Sequence, residues 1–337
     1  MDLLSNLHTM MSAGIPIIDT IDTLLADAKG NEKLVLITLR DGLGEGKSIS
    51  DVLASSRLAF DDVTISLIRS SEVSGTLEQT LDIVVTNIKS DIAFIQKARN
   101  ALIYPLFILS IFIFVVIFML VYVIPNVATV FKTMNSKLPI QTVLLINVSA
   151  FILQYWPLLV GGIIAIILFF ILLYQTRRRF LLQTFYSLPF LYPLARDIDI
   201  VRITRNMSYI LRSGISLTQA IELCVPIATQ PHVRQAFENS LSKIAEGKSF
   251  AESLEDISGT IPVMVRRMVQ AGERSGALEQ SLIEISRRFE DRVTSKLQVI
   301  TILIEPVIML LIGVSVGAVM LGIISPIYNL IGNIASP

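Results

Sequence analysis

The chain has 337 residues, of which 53% are hydrophobic and only 17% are charged, and its formal net charge is zero. An average soluble domain contains about 25% charged residues, so this composition indicates a membrane protein with polar segments attached. The single cysteine, Cys224, excludes an internal disulfide framework, and the two distant histidines, His8 and His232, argue against a histidine metal centre.

Charge is unevenly distributed along the chain. Residues 1–100 contain 9 basic and 14 acidic residues, whereas residues 175–301 contain 17 basic and 13 acidic residues. The N-terminus lacks a basic region followed by an apolar core, so we expect no cleavable signal peptide. The basic segment suits an acidic partner or anionic lipid, or a solvated surface.

The first hundred residues predict six helices joined by short connections. Apolar residues recur at helical spacing over residues 3–13, and Gly14 then provides a stop. The remaining helices are predicted from Pro16 to Ala28, over 31–43, from an N-cap at Ser48 to Ala54, over 63–73 after Asp61 or Asp62, and from Leu77 onwards. This order favours an antiparallel helical bundle.

Three apolar segments are each long enough to cross a hydrocarbon core of about 30 Å. Basic residues, among them Arg177, Arg178 and Arg179 as a topology anchor, lie on one side of these segments. The positive-inside rule then places the N-terminus in the cytoplasm and the C-terminus outside. The predicted parts are a cytoplasmic bundle (1–100), spans at 101–124, 152–176 and 300–324, an outer loop (125–151), a second bundle (177–299) and an outer tail (325–337).

The second predicted bundle repeats the first. Residues 71–81 (SEVSGTLEQTL) correspond to residues 272–282 (GERSGALEQSL) at an offset of 201. The Glu-Gly-Lys-Ser turn at Glu45 recurs at Glu246, and the Gly-Ile pair at Gly14 recurs at Gly214. Such a match at one nearly constant offset indicates a direct duplication. The predicted fold is therefore all-α, with two homologous six-helix cytoplasmic bundles and three transmembrane helices.

These repeated motifs, in this order, resemble the inner-membrane platform proteins of type IV pilus and type II secretion machines. The segment from Ile124-Pro-Asn-Val to Trp156 and the Glu305-Pro306 pair at the start of the third span carry the same resemblance. It implies a non-enzymatic platform in a bacterial inner membrane that couples a hexameric secretion ATPase to insertion of pilin or pseudopilin subunits. It also implies other inner-membrane assembly partners, a homo-oligomer with a dimer favoured, and no nucleic acid.

The repeated corner motif has a structural and a functional interpretation. Gly75 and Gly276 would stop a helix, with Thr76 or Ser275 as the next cap, and Glu78 and Glu279 would complement a helix dipole in the first turn. In the functional interpretation these residues, with Glu72 and Glu273, face a partner or form a weak cation site. Glu305, beside Pro306, either anchors at the interface or contacts a pilin or another span.

No catalytic, cofactor-binding or metal residues are predicted. The Glu-Gly-Lys-Ser turns at Glu45 and Glu246 lack the spacing of a phosphate-binding loop, and no strand precedes them. An oligomeric transporter or channel component remains the alternative function, although the first two spans carry no ionisable residue at mid-membrane depth. A membrane enzyme and a signalling receptor are disfavoured, the first by the missing catalytic sets and the second by the small outer loop.

Overall fold

The computed structural model describes residues 2–56, 60–133, 192–255 and 260–334, together with scattered residues between 143 and 172. Within these residues all regular elements are helical and no strand is present, so the all-α class predicted from sequence is confirmed. About half of the segment 152–176, which sequence predicted as the second span, lies outside the described residues, and so do Arg177, Arg178 and Arg179.

The helices follow the predicted order closely. The first repeat contains α1 (Asp2–Ser12), α2 (Ile17–Asp27), α3 (Gly30–Gly44), α4 (Ile49–Ser55), α5 (Asp62–Ser74) and α6 (Leu77–Phe118). A π-helical segment (Met119–Val123) and α7 (Ile124–Thr133) continue directly from α6. The second repeat contains α8 (Tyr192–Arg212), α9 (Leu217–Cys224), a 3-10 turn (Val225–Ile227), α10 (Pro231–Ala245), α11 (Phe250–Ser253), α12 (Val263–Ser275) and α13 (Leu278–Ile334).

Side-chain caps fix the helix starts where the sequence predicts them. The Ser48 hydroxyl accepts a hydrogen bond from the Asp51 N–H at 3.1 Å, and Asp61 Oδ1 accepts one from the Thr64 N–H at 3.3 Å. Each bond satisfies one of the four N–H groups that a helix leaves unpaired at its start. The prediction for Ser275 is wrong, because this residue ends α12 and its hydroxyl donates back to the Gly272 carbonyl.

The described chain forms two compact units. The first comprises Met1–Lys97 and Leu182–Thr294 and therefore contains most of both repeats, and the second comprises Ala98–Leu181 and Ser295–Pro337. Equivalent positions of the two repeats are buried alike, as the fully buried Ile21 and Ile221 show. Burying one such side chain contributes about 1.5–3 kcal/mol. The repeat in sequence is thus a repeat in packing.

Helix α8 is buried on all sides in the first unit. Its buried residues include apolar and charged side chains alike: Ile200, Val201, Ile203, Thr204, Arg205, Asn206, Met207, Ser208, Tyr209 and Ile210. An ordinary surface helix buries only one stripe, so α8 is a central element of the unit. Charged groups on such a helix require partners within the protein.

Among the described residues, two helices are long and apolar enough to cross a membrane: the continuous segment Leu77–Asn126 and α13, over Leu278–Gly317. Helix α6 continues through Pro105 without an assigned break. Residues 125–133, predicted as loop, belong to α7, and residues 325–334, predicted as tail, belong to α13. Apolar periodicity alone does not mark these helix ends, because the amphipathic and apolar helices join without a stop signal.

The second unit contains a polar contact between the two long helices. The Thr301 hydroxyl donates to the Ala101 carbonyl at 2.9 Å, and also to the Leu297 carbonyl in its own helix at 3.0 Å. In the same unit the buried Ser149 hydroxyl donates to the Leu120 carbonyl within the π-helical segment. A π turn frees carbonyl groups from the regular helical ladder, so a side-chain donor can bind one there.

Candidate functional site

The corner glutamate of each repeat binds the start of a short helix. In the first repeat, the carboxylate of Glu72 accepts hydrogen bonds from the Ile49 N–H and, at 3.1 Å, from the Ser50 N–H. These are the first two N–H groups of α4, which follows the Glu-Gly-Lys-Ser turn. The corner motif and the turn motif of the first repeat therefore form one site.

The second repeat builds the same site. Glu273 accepts hydrogen bonds from the Phe250 N–H at 2.6 Å and the Ala251 N–H at 2.8 Å, at the start of α11. Ser249 and Glu252 add a capping box to the same helix end. A carboxylate is favourable here because helix N-termini carry a partial positive charge and charge-assisted bonds are stronger than neutral ones. The sequence does not reveal this pairing, because 23 residues separate Phe250 from Glu273.

Gly75 and Gly276 end the helix at each corner in a left-handed conformation. Their φ angles are 71° and 68°, a region that side chains other than glycine rarely adopt. The Thr76 N–H then reaches back to the Ser71 carbonyl at 3.0 Å, and the Ala277 N–H reaches the Gly272 carbonyl at 2.9 Å. This closing bond turns the chain sharply, so the two long helices α6 and α13 begin directly after the corners.

Glu78 and Glu279 lie in the first turns of α6 and α13, as predicted. Glu78 is exposed, whereas Glu279 is half-buried and its carbonyl accepts a hydrogen bond from the Ser208 hydroxyl at 2.8 Å. Among the residues that the structure describes, no group of three or more His, Cys, Asp and Glu side chains is suited to hold a metal ion. The cation interpretation of the corner thus has no support in the described geometry.

A buried arginine links the two long helices within the first unit. Arg205 on α8 binds Asp91 on α6 at 2.6 Å and Glu290 on α13 at 2.8 Å, and only 3% of its side chain is exposed. Its guanidinium also lies 5.6 Å from the centre of the Phe94 ring. Lys97 approaches Glu290 at 3.7 Å. We call Arg205, Asp91 and Glu290 the arginine clamp.

A hydrogen-bonded pair of asparagine side chains lies next to the arginine clamp. The Asn87 side-chain amide on α6 donates to the Asn206 side-chain oxygen on α8 at 3.0 Å, and Asn206 in turn donates to the Arg202 carbonyl at 2.8 Å. The other polar atom of Asn87, Oδ1, is buried without a hydrogen-bond partner. Buried polar pairs contribute specificity more than stability, so these contacts fix which residues of α6 and α8 meet.

A polar groove of about 480 Å³ opens beside the clamp. Its lining residues come from α6, α8 and α13 and include Ser90, Arg205, Arg212, Glu279, Arg287 and Glu290. The groove thus connects the corner residue Glu279 to the clamp along the first turns of α13. Any group that enters it would contact both long helices at once.

Two further buried acids anchor α8. Asp199 accepts hydrogen bonds from the Thr229 and Gln230 N–H groups, at 3.0 Å and 2.6 Å, just before α10. Burial raises the pKa of the Asp199 carboxyl, although these backbone bonds oppose that shift. Asp197, which is fully buried, lies 3.3 Å from Arg196 and 3.4 Å from Arg292. Charged groups of α8 are therefore matched by α6, by α13 and by the connection before α10.

The clamp was missed in the sequence, although a signal for it exists. Apolar residues of α8, such as Ile200, Ile203 and Met207, occupy all sides of the helix rather than one stripe. A helix of this kind is buried all round, so its charged residues must be paired. The partner residues cannot be identified in this way, because they lie 85 and 114 positions from Arg205.

Glu305 and Pro306 lie inside α13, and the side chain of Glu305 is exposed. Within the described part of the chain, the carboxylate of Glu305 forms no ion pair. The helix continues through Pro306 without an assigned break.

Comparison with known sequences identifies related proteins over nearly the whole chain. A sequence model of the family described as "Type II secretion system (T2SS), protein F" matches residues 3–125 and 203–326. The two matched segments correspond to the two repeats together with the first and third predicted spans.

Individual relatives come from both pilus and secretion systems. A type IV pilus assembly protein, PilC, of Myxococcus xanthus is 28% identical over 329 residues, covering 97% of this chain and 79% of the relative. PilC of Pseudomonas aeruginosa is 28% identical over 334 residues, covering 97% and 88%. The type II secretion system protein F of the same organism is 28% identical over 333 residues, covering 96% and 80%.

Proposed function

The chain belongs to the family of type II secretion system protein F, and we propose that it couples a cytoplasmic secretion ATPase to insertion of pilin or pseudopilin subunits. The family consists of inner-membrane structural platform proteins rather than enzymes, as the resemblance in the sequence implied. Its relatives are named for type IV pilus assembly and for type II secretion, and these names support a role in a machine of this type.

The observation that carries this proposal is the arrangement of the two long helices. Helix α6 begins after the Gly75 corner and α13 after the Gly276 corner, and each contributes residues to both compact units. The arginine clamp binds α6 and α13 to the same buried helix, α8. A force applied to either corner by a motor would therefore act on a helix that continues into an apolar segment.

The corners are the proposed contact points for the motor. Glu78 is exposed beside Gly75, and the polar groove reaches Glu279 beside Gly276. Glu72 and Glu273, in contrast, are engaged with α4 and α11, and we assign them to holding each corner together. The two groups of glutamates thus divide partner contact and internal support between them.

Glu305 is the proposed contact for a pilin. An exposed carboxylate inside an apolar helix is costly in lipid, and a positively charged N-terminus of a pilin subunit would neutralise it. The three-span topology with a cytoplasmic N-terminus, and assembly as a homo-oligomer, complete the proposal. In this topology both repeats face the ATPase.

Co-purification tests the proposal. The affinity-tagged chain is extracted from membranes of a strain that assembles filaments or secretes, and the bound proteins are identified by mass spectrometry. We expect a secretion ATPase and a pilin-like protein in the bound fraction. Recovery of neither would refute the platform function.

A matched pair of variants separates the pilin contact from general effects. Glu305→Gln should reduce recovery of the pilin-like protein while leaving recovery of the ATPase unchanged. Glu32→Gln, in α3 of the cytoplasmic unit, serves as the control and should leave both unchanged. Normal filament assembly with Glu305→Gln would remove the assignment of Glu305 to a pilin.

A further inference from the structure

One contact between the two repeats joins the fifth helix of the first repeat to the second helix of the second repeat. Helix α5 of the first repeat packs against α9 of the second. A groove between them is lined by Ser66, Arg69 and Val73 from α5, by Gln219 and Glu222 from α9, and by Ile215 in the turn before α9. Arg69 and Glu222 give the two sides of this groove opposite charges.

Because the repeats are homologous, each of these helices has a counterpart in the other repeat. The counterpart of α9 is α2, as the full burial of Thr20 and Ile21 at the positions of Ala220 and Ile221 shows. The counterpart of α5 is α12, where Val269 is buried as Ile68 is. Helix α2 packs on α1 and α3, and α12 packs on α11, but α2 and α12 make no extensive contact with each other in the described chain.

The two open faces carry complementary charge. On α12, two basic residues replace neutral residues of α5 and the neutral Gln270 replaces Arg69, and on α2 an acidic residue replaces a neutral one of α9. The equivalent positions are Arg267 for Ser66, Arg274 for Val73, Asp19 for Gln219 and Asp22 for Glu222. All four charged side chains are exposed. The open pair is therefore more strongly matched in charge than the pair that meets inside the chain.

Each open face also presents an apolar side chain in line with its charges. Ile18 on α2 is 52% exposed and lies one turn from Asp22, and Val263 on α12 is 53% exposed and lies one turn from Arg267. Asp22 binds Arg40 at 2.7 Å on the surface, whereas Asp19, Arg267 and Arg274 form no ion pair within the described residues. Opposite charges on the two faces, each beside an exposed apolar residue, favour a specific contact between them.

We propose that a second copy of this chain occupies these faces, with α2 of one copy docked on α12 of the next. The contact between copies would repeat the contact that α9 and α5 make between repeats within one copy. Such a contact joins two different surfaces, so each copy offers one free α2 face and one free α12 face. Further copies can then add until the assembly closes as a ring. This inference rests on the homo-oligomer included in the proposed function, but its failure would leave recovery of the ATPase and the pilin-like protein by co-purification unaffected.

Cross-linking between two tagged copies tests the geometry. One copy carries Asp19→Cys, the other carries Arg267→Cys, and membranes containing both are treated with a short bismaleimide. The native Cys224 is buried, so it contributes little background. We expect a cross-linked product with both tags, and its absence would overturn the proposal. In the matched control, Thr38→Cys on exposed α3 replaces Asp19→Cys, and we expect no product.

The same experiment distinguishes the proposed contact from a symmetric dimer. If copies carrying only Asp19→Cys cross-link to each other while the mixed pair does not, α2 meets α2 and the proposal is wrong. Both substitutions lie at exposed positions, so circular dichroism of the purified variants should match that of the unsubstituted chain.

Charge reversal provides an independent arm that needs no cross-linker. Self-association of the purified chain in detergent is measured by sedimentation. The variant with Asp19→Arg and Asp22→Arg, and the variant with Arg267→Asp and Arg274→Asp, should each associate at least about tenfold more weakly. The chain with all four substitutions should recover association. Unchanged association in both double variants, or no recovery in the fourfold variant, would contradict the α2–α12 contact.

Discussion

Replacing Arg205 by methionine tests whether the arginine clamp holds α6 and α13 together. Methionine keeps the length of the aliphatic side chain and its packing beside Phe94, but it removes the positive charge. The carboxylates of Asp91 and Glu290 would then lose the cation that each contacts at under 3 Å. The variant therefore leaves two like charges beside an apolar side chain.

The size of the effect follows from the exposure of the two carboxylates. Breaking a fully buried ion pair costs about 3–5 kcal/mol. The Asp91 side chain is 40% exposed and that of Glu290 is 17% exposed, and Lys97 remains near Glu290, so solvent and Lys97 offset part of this cost. We expect a loss of about 2–3 kcal/mol, which lowers the melting temperature of a unit of this size by about 5–10 °C.

Thermal unfolding in detergent, followed by circular dichroism, measures this loss. Arg69→Met is the matched control, because Arg69 forms an exposed ion pair with Asp51 at 3.1 Å. Exposed pairs contribute about 0–1 kcal/mol, so this control should change the melting temperature little. Adding Asp91→Asn and Glu290→Gln to Arg205→Met should restore part of the stability, because no unpaired charge remains.

Two outcomes would refute the reasoning about the clamp. One is an Arg205→Met variant as stable as the unsubstituted chain. The other is a triple variant that is no more stable than Arg205→Met. If the single variant is destabilised but still inserts in the membrane and assembles filaments normally, the clamp is structural and does not transmit force.

Other predictions concern the corners, a buried acid and the cysteine. Glu273→Ala removes both bonds to α11 and should cost about 2–4 kcal/mol in the free energy of unfolding by urea, and a loss under 1 kcal/mol would contradict the capping role. Gly276 has a φ of 68°, so Gly276→Val should cost about 2 kcal/mol through backbone strain and should stop filament assembly while membrane insertion stays intact. Gly276→Asn should be tolerated, and equal effects of the two variants would contradict the strain argument. Because the folded pKa of Asp199 is raised, its contribution to stability should fall as the pH rises from about 4 through that raised pKa. Asp199→Asn should flatten the pH dependence of stability in that range. If the urea midpoint depends on pH in the same way in the variant and in the unsubstituted chain, this reasoning is refuted. Burial raises the pKa of the Cys224 thiol, so maleimide should label the folded chain slowly at neutral pH. Labelling should become fast in denaturant, and rapid labelling of the folded chain would disprove the burial.

The sequence by itself determined the helices, their caps and the duplication. Local signals suffice for these features, because Ser48 and Asp61 cap helices that start beside them and Gly75 ends the helix that precedes it. Where local signals are missing, the prediction was incomplete: α13 runs without a stop signal to Ile334, past the end predicted for the third span. The apolar composition likewise marked α6 and α13 as candidate spans without the structure.

Only the tertiary structure decided which polar groups meet. Glu273 caps a helix that begins 23 residues earlier, and Arg205 joins residues that lie 114 positions before it and 85 positions after it. No helical or turn periodicity connects residues at such distances, because these contacts depend on how whole helices pack. The open faces of α2 and α12 are of the same kind. Their charges are written in the sequence, but only the packing of α5 on α9 shows which surfaces correspond.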